Sequence, residues 1–244
     1  MKTARGNVEV LADPQEIARV GAERFVAAAQ RTLADHQRFS VALAGGSTPK
    51  ATYQLLATTY RDRVEWPRVD IFFGDERCVP PEHKDSNYRM AREALLDHVP
   101  LGPDRVHRIA GEKPPAEAAL AYQQILTRVL GSSGAPRLDL VLLGMGPDGH
   151  TASLFPGTTA LNEKHDLVTA TYVEKLDTWR VTLSAPMLCA AAEVVVMAGG
   201  AEKADNLKVA LQGADGTVPI QLVKPTSGQM TWLVDRAAAA KLTL

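Results

Sequence analysis

Residues 138–150 read LDLVLLGMGPDGH. The segment 138–143 is an almost unbroken apolar run, and it stops abruptly in a turn made of glycine, proline and aspartate. A strand whose consecutive residues are apolar must be covered on both faces, because neighbouring side chains point to opposite sides. Such strands belong to mostly parallel sheets lying between helices. The same pattern, an apolar strand running into a glycine-rich or charged turn, recurs along the chain. Its recurrence predicts an α/β fold with a mostly parallel sheet and helices on both faces.

Working outward, a helix is expected from 14 to 34. Ala18, Ala22, Phe25, Val26, Ala29 and Leu33 share one face there, and Asp13-Pro14 makes a good start. A strand over 40–44 runs into Gly45-Gly46-Ser47-Thr48-Pro49. Pro49 suits the first position of the next helix, with Thr48 or Ser47 as its N-cap. A strand over 69–73 ends in the turn Gly74-Asp75-Glu76-Arg77, and helices follow near 86–98 and 115–130. The turn-rich stretch 131–136 is a loop too short to divide domains. Further strands are expected at 167–172, 179–183, 194–198 and 230–234, with a helix over 201–211 after Gly199-Gly200. The whole chain, 1–244, reads as one domain.

In a sheet of this kind ligands bind at the carboxyl ends of the strands. Four turns occupy those ends: GGSTP, GDER, GMGPDGH and AGGAEK. Topology alone predicts that they meet at one crevice.

Composition limits what that crevice serves. The chain has 244 residues, 45% apolar and 23% charged, with a formal net charge of −1. That balance calls for neither nucleic acid nor an anionic membrane. The two cysteines, Cys78 and Cys189, make no disulfide framework and no CxxC pair. No apolar run suits a secretory signal or a membrane span, so a cytoplasmic protein is expected. The six histidines show no HxH or HxxxH spacing, which argues against a metal site. GxSxG, the turn of a Ser-His-Asp hydrolase, is absent.

Each turn carries a chemical and a merely structural reading. Gly45, Gly46, Ser47 and Thr48 have the makings of a phosphate cradle: backbone N–H groups, two hydroxyls and a helix N-terminus. They also suit a plain capped turn. Residues 144–149 match the dinucleotide pattern GxGxxG, but outside the first strand–helix unit where that fingerprint belongs. His150 is a candidate general base near neutral pH, with Asp148 two residues earlier to orient it or raise its basicity; a structural histidine is the alternative. Arg77 is suited to a phosphate, a carboxylate or an oxyanion, beside Asp75, though a surface ion-pair cluster reads equally well. Arg180 lies within a strand, a costly place for a charge without an anionic partner. Lys203 is expected in the first turn of a helix, where the dipole disfavours a cation unless an anion is bound.

Taken together, and in this order, LAGGSTP, FFGDERCVP with DSNYRMAREALLDHVP, LDLVLLGMGPDGHTASLFPG and AGGAEKA resemble the 6-phosphogluconolactonase family over roughly residues 10–235. The resemblance implies a modified Rossmann-like sheet. It also implies hydrolysis of 6-phospho-D-glucono-1,5-lactone in the oxidative pentose phosphate pathway, with no cofactor. The implied catalytic residues are His150, Asp148 and Asp75. Gly45, Gly46, Ser47, Thr48, Arg77, Arg180 and Lys203 would bind the phosphosugar. No nucleic acid or membrane partner is expected, and the chain would act as a monomer or small homo-oligomer. Related glucosamine-6-phosphate deaminases carry an Asn-Glu-Pro segment after the corresponding histidine. Here Thr151-Ala152-Ser153-Leu154-Phe155-Pro156-Gly157 supplies no carboxylate. A non-catalytic phosphosugar sensor, the remaining alternative, would carry an N-terminal helix-turn-helix. The residues before position 40 instead read as one long helix.

Overall fold

A computed structural model describes residues 2–131 and 135–243. The loop expected over 131–136 falls partly on 132–134, outside the described residues. Seven strands form the central sheet: β1 (Lys2–Thr3), β2 (Gly6–Leu11), β3 (Phe39–Leu43), β4 (Val69–Phe73), β6 (Leu140–Gly144), β9 (Glu193–Ala198) and β10 (Gln229–Asp235). Their order is β1-β2-β10-β9-β6-β3-β4, and every pairing except β1–β2 is parallel. Every residue of β3, β4 and β9 is buried, so both faces of the sheet are covered as the apolar runs required.

The helices fill in around this sheet. α1 (Pro14–Asp35) starts as expected, with the Asp13 carboxylate accepting the Glu16 N–H at 2.9 Å. α1 packs on β9, β10 and α2 (Ser47–Ala57). Its Phe25 meets Phe39 of β3 edge to face, 5.5 Å between ring centres. The remaining helices are α3 (Asn87–Ala94), α4 (Pro115–Leu130), α5 (Ala185–Cys189) and α6 (Ala204–Gln212). No helix among the described residues is long and apolar enough to cross a membrane.

Four expectations need correction. β1 and β2 precede α1, where no strand was expected. β2 lies one strand in from the sheet edge, between the two-residue β1 and β10, and only Val8 of its six residues is buried, so it carries little apolar signal. Asp75–Arg77, expected as a turn, is strand β5. It pairs antiparallel with β8 (Thr178–Leu183), which pairs antiparallel with β7 (Val168–Val173) in a separate three-stranded sheet. The charges of β5 are tolerated because Asp75 and Glu76 are buried with hydrogen-bond donors around them. α2 begins at Ser47 with Gly46 as N-cap, so neither hydroxyl caps it. Gly46 takes φ 106°, a conformation that turns the chain sharply at glycine's low cost. Finally, Lys203 closes a 3-10 turn over Ala201–Lys203 and is the N-cap of α6, not a residue of its first turn.

The connection after β3 leads to β4 on one side, and the chain after β6 returns to β9 on the other. The order of strands therefore reverses between β3 and β6, the position where sheets of this class open a crevice. Two fully buried tyrosines hold strand ends near that crevice. Tyr53 of α2 donates its hydroxyl to the Ala44 carbonyl (2.9 Å) and accepts the Ala44 N–H (2.8 Å). Tyr122 of α4 does the same at Phe73, at 3.0 and 2.7 Å. Burial pushes both phenols well above their ordinary range, so both stay protonated donors. Tyr53→Phe should leave both groups of Ala44 unpaired in the interior. The expected loss of stability is about 1–3 kcal/mol, read as a lower denaturation midpoint at unchanged m-value.

Candidate active site

The crevice is a cavity of about 250 Å³ lined by residues from all four strand-end turns. Gly45, Gly46, Ser47 and Thr48 come from the β3–α2 turn, Asp75 and Arg77 from β5, Gly144–Pro147 and His150 from the turn after β6, Arg180 from β8 and Lys203 from before α6. The structure thus brings together every site residue named from the sequence except Asp148, which stands directly behind His150.

The turn 145–150 is built around its own backbone. Gly146 N–H donates to the His150 carbonyl (2.9 Å) and Gly149 N–H to the Gly146 carbonyl (3.0 Å). Gly149 has φ 75°, and a Cβ there would lie 2.7 Å from Val218. No helix opens at this turn; the chain enters an isolated bridge between Thr151 and Leu154 instead. The GxGxxG match therefore lacks the helix N-terminus that a dinucleotide pyrophosphate needs.

His150 is held from three sides. Its Nδ1 is 2.5 Å from Asp148 Oδ1. The other oxygen of Asp148 receives the Lys175 ammonium. A carboxylate so placed can only accept, so Nδ1 carries the proton and Nε2 keeps the free lone pair. The imidazole stacks on Phe155, 3.9 Å between ring centres. On the side of Gly146, a Cβ would come within 2.1 Å of the ring. Burial is the main influence on its acidity and pushes its pKa down to about 4; Asp75 opposes this, while Arg180, Lys203 and Arg77 add to it. The sequence suggested a value near neutrality. Desolvation and three nearby cations move it the other way, and the ring is neutral at physiological pH.

The cations are an unusual group. Arg77 and Arg180 are direct cross-strand partners in β5 and β8. Like charges opposite each other destabilise a sheet unless something neutralises them. Arg180 is buried, and the Nε atoms of both arginines are buried without a hydrogen-bond partner among the described residues. Burial lowers the pKa of both Arg180 and Lys203. The Lys203 ammonium makes no hydrogen bond or ion pair among the described residues. Beside them lie the first-turn N–H groups of α2, which no side chain among the described residues caps. Among the described residues the only carboxylate lining the cavity is Asp75. It accepts from Ser153 Oγ (2.6 Å) and Asn87 Nδ2 (3.1 Å), and stands 3.9 Å from Arg180 Nη1. It does not pair with Arg77, whose guanidinium donates to the Asp85 carbonyl.

Four contributors were not singled out from the sequence. Asn87 lines the cavity and packs so tightly on Gly45 that a Cβ there would sit 2.1 Å from its Oδ1. Glu76 accepts the N–H groups of Asn87 (2.7 Å) and Tyr88 (2.8 Å), fixing the start of α3 and with it Asn87. Ser153 and Phe155 lie in the segment noted only for its missing carboxylate.

Known proteins resemble this chain in sequence and fold. The family model for glucosamine-6-phosphate isomerases/6-phosphogluconolactonase matches residues 12–232. A 6-phosphogluconolactonase of Nostoc sp. is 37% identical, covering 97% of this chain and 98% of its own. The solved 6-phosphogluconolactonase of Trypanosoma brucei is 34% identical with a TM-score of 0.85, over 98% of this chain and 99% of that one. That of Trypanosoma cruzi is 31% identical with a TM-score of 0.88, over 99% and 98%. A monomeric glucosamine-6-phosphate deaminase, 18% identical with a TM-score of 0.82, shares the fold. The chain belongs to the glucosamine-6-phosphate isomerase/6-phosphogluconolactonase family.

Proposed function

We propose that this cavity hydrolyses 6-phospho-D-glucono-1,5-lactone to 6-phospho-D-gluconate, with His150 as general base, in a single domain working in the cytoplasm. The observation that carries the reading is the pairing, within one small cavity, of a neutral imidazole with three cations that share one lining carboxylate among the described residues. The substrate is a cyclic ester with an anion at its far end, and it fits that pairing in both respects.

The phosphate lies against the Gly45-Gly46 backbone, Ser47 and Thr48, with charge from Arg180 and Lys203. It relieves the repulsion between Arg180 and Arg77, and it gives the α2 N-terminus the anion that its dipole favours. Anchored there, the lactone places C1 beside His150. Nε2 takes a proton from water as the water's oxygen bonds to C1, and the carbonyl becomes an oxyanion. Arg77 faces that charge. When the intermediate collapses, the C1–ring oxygen bond breaks and the imidazolium returns its proton to the departing oxygen. Asp148 holds the working tautomer throughout. Asp75, through its contact with Arg180, keeps that guanidinium in the cavity.

Arg180→Ala should act chiefly on binding. A charge-assisted hydrogen bond contributes about 1.5–3 kcal/mol, so KM should rise roughly 10- to 150-fold, with kcat changed far less. An unchanged KM would remove Arg180 from the phosphate site. The reaction class is tested by offering two substrates: acid release from freshly generated lactone, and ammonia release from glucosamine 6-phosphate. The first is expected well above the spontaneous rate and the second not at all. Ammonia release without lactone opening would make the chain a deaminase, and tight phosphosugar binding with neither would make it a sensor.

A further inference from the structure

The hairpin joining β7 and β8 reaches over to the catalytic turn. Its tip is a 3-10 turn, Glu174–Leu176, closed by Asp177 in the left-handed region at φ 47°. The tip is braced by its own side chains. Tyr172 donates its hydroxyl to the Asp177 carboxylate, and its ring lies 5.6 Å from that of Trp179. From this tip Lys175 extends its ammonium to Oδ2 of Asp148. The same nitrogen sits 4.7 Å from the centre of the Phe155 ring, the ring on which His150 stacks.

Asp148 therefore has two occupants. Oδ1 takes the Nδ1–H of His150 at 2.5 Å and its backbone N–H at 3.2 Å, and Oδ2 takes Lys175. No other side-chain donor among the described residues reaches Oδ2. A carboxylate anchored at one oxygen only is free to swing about its terminal bond, and the tautomer of His150 depends on its not doing so. The ammonium also shares the charge of Asp148. Without it, the full carboxylate charge would act on the imidazole and favour its protonated form.

We infer that Lys175 is a positioning residue of this enzyme, which acts through Asp148 to hold His150 neutral and in the tautomer with Nε2 free. The inference rests on His150 being the base. An exposed lysine–aspartate pair on its own contributes little, about 0–1 kcal/mol. This pair differs because its carboxylate also holds the imidazole, and because both lysine and imidazole meet one aromatic ring. The other groups that face His150 are Asp75 and Arg77 of β5, Arg180 of β8 and Lys203 before α6. All of them remain in place when Lys175 is replaced.

The test compares Lys175→Met and Lys175→Arg in the full chain, following acid release from the lactone across pH. Lys175→Met should lower kcat about tenfold, a small part of the ~10⁴-fold that a wrong tautomer costs a catalytic triad. KM should stay the same. The acid limb of kcat/KM should move up by about one pH unit. Lys175→Arg should restore both. The side chain is half exposed, so the fold should survive, and thermal melting checks this; Lys175→Gln serves if the methionine variant melts early. A wild-type pH profile and kcat in Lys175→Met would overturn the inference. So would a change confined to KM, which would make Lys175 a substrate contact, or failure of arginine to rescue. His150→Ala assayed alongside separates the two readings: full activity there would refute the base itself, whereas loss there with an unaffected Lys175→Met would refute only the role of Lys175.

Discussion

His150→Ala should lower kcat for lactone opening by about 10²- to 10⁴-fold, the usual contribution of a positioned base, while KM changes little. The reason lies in how the pocket divides its work. In the proposed reading the phosphate is held by the β3–α2 turn, Arg180 and Lys203, none of which depends on the imidazole. Among the described residues the His150 side chain makes no hydrogen bond beyond that to Asp148 within its own turn. Its removal should therefore take away proton transfer and little else. Steady-state rates over a range of lactone concentrations, corrected for spontaneous opening, give both constants. A wild-type kcat would show that water attacks without this base.

Gly146→Ala should be nearly as damaging, although it touches no reacting atom. The new Cβ would lie 2.1 Å from both Cε1 and Nδ1 of His150. The ring has no room to retreat, since Phe155 stacks on it at 3.9 Å. It must tilt away from Asp148 or leave the cavity. A displacement of about 1 Å can cost on the order of 10²-fold in rate, and a loss of that size in kcat is expected. Gly146 does not have the positive φ of Gly149, so alanine is compatible with its backbone. Near-wild-type thermal stability combined with that loss would identify the defect as one of ring position. Wild-type kcat in Gly146→Ala would mean that the base works from another orientation.

The parallel sheet was legible because 138–143, 194–198 and their counterparts are apolar at consecutive positions, a pattern with one physical explanation. The convergence of the four turns followed from topology. Asp75–Arg77 was misread because three charged residues look like solvated loop. The burial of Asp75 and Glu76 depends on donors supplied by Ser153, Ser86 and the start of α3, which sequence spacing does not reveal. The same holds for Asn87 and Lys175, whose partners lie far along the chain: Asn87 with Asp75, Lys175 with Asp148. The direction of the His150 shift was also invisible. Asp148 two residues away suggested a raised pKa, whereas desolvation and the cations brought in by β5, β8 and the α6 N-terminus outweigh it. An arginine pair in cross-strand register becomes evident only once β5 is recognised as a strand.

That shift makes the central claim measurable. In the free enzyme Arg180, Lys203 and Arg77 disfavour the imidazolium. A bound phosphate dianion offsets those charges, so the pKa of His150 should rise in the complex and make it a better base there. The acid limb of kcat should accordingly lie at higher pH than that of kcat/KM, which reports the free enzyme. The most direct test is the pH dependence of kcat/KM for lactone hydrolysis, followed by acid release. The expected profile is flat through neutrality and falls only as pH approaches about 4, where His150 gains its proton. A limb at or above about 6.5, the ordinary value for histidine, would contradict a base held neutral by its buried, cationic surroundings.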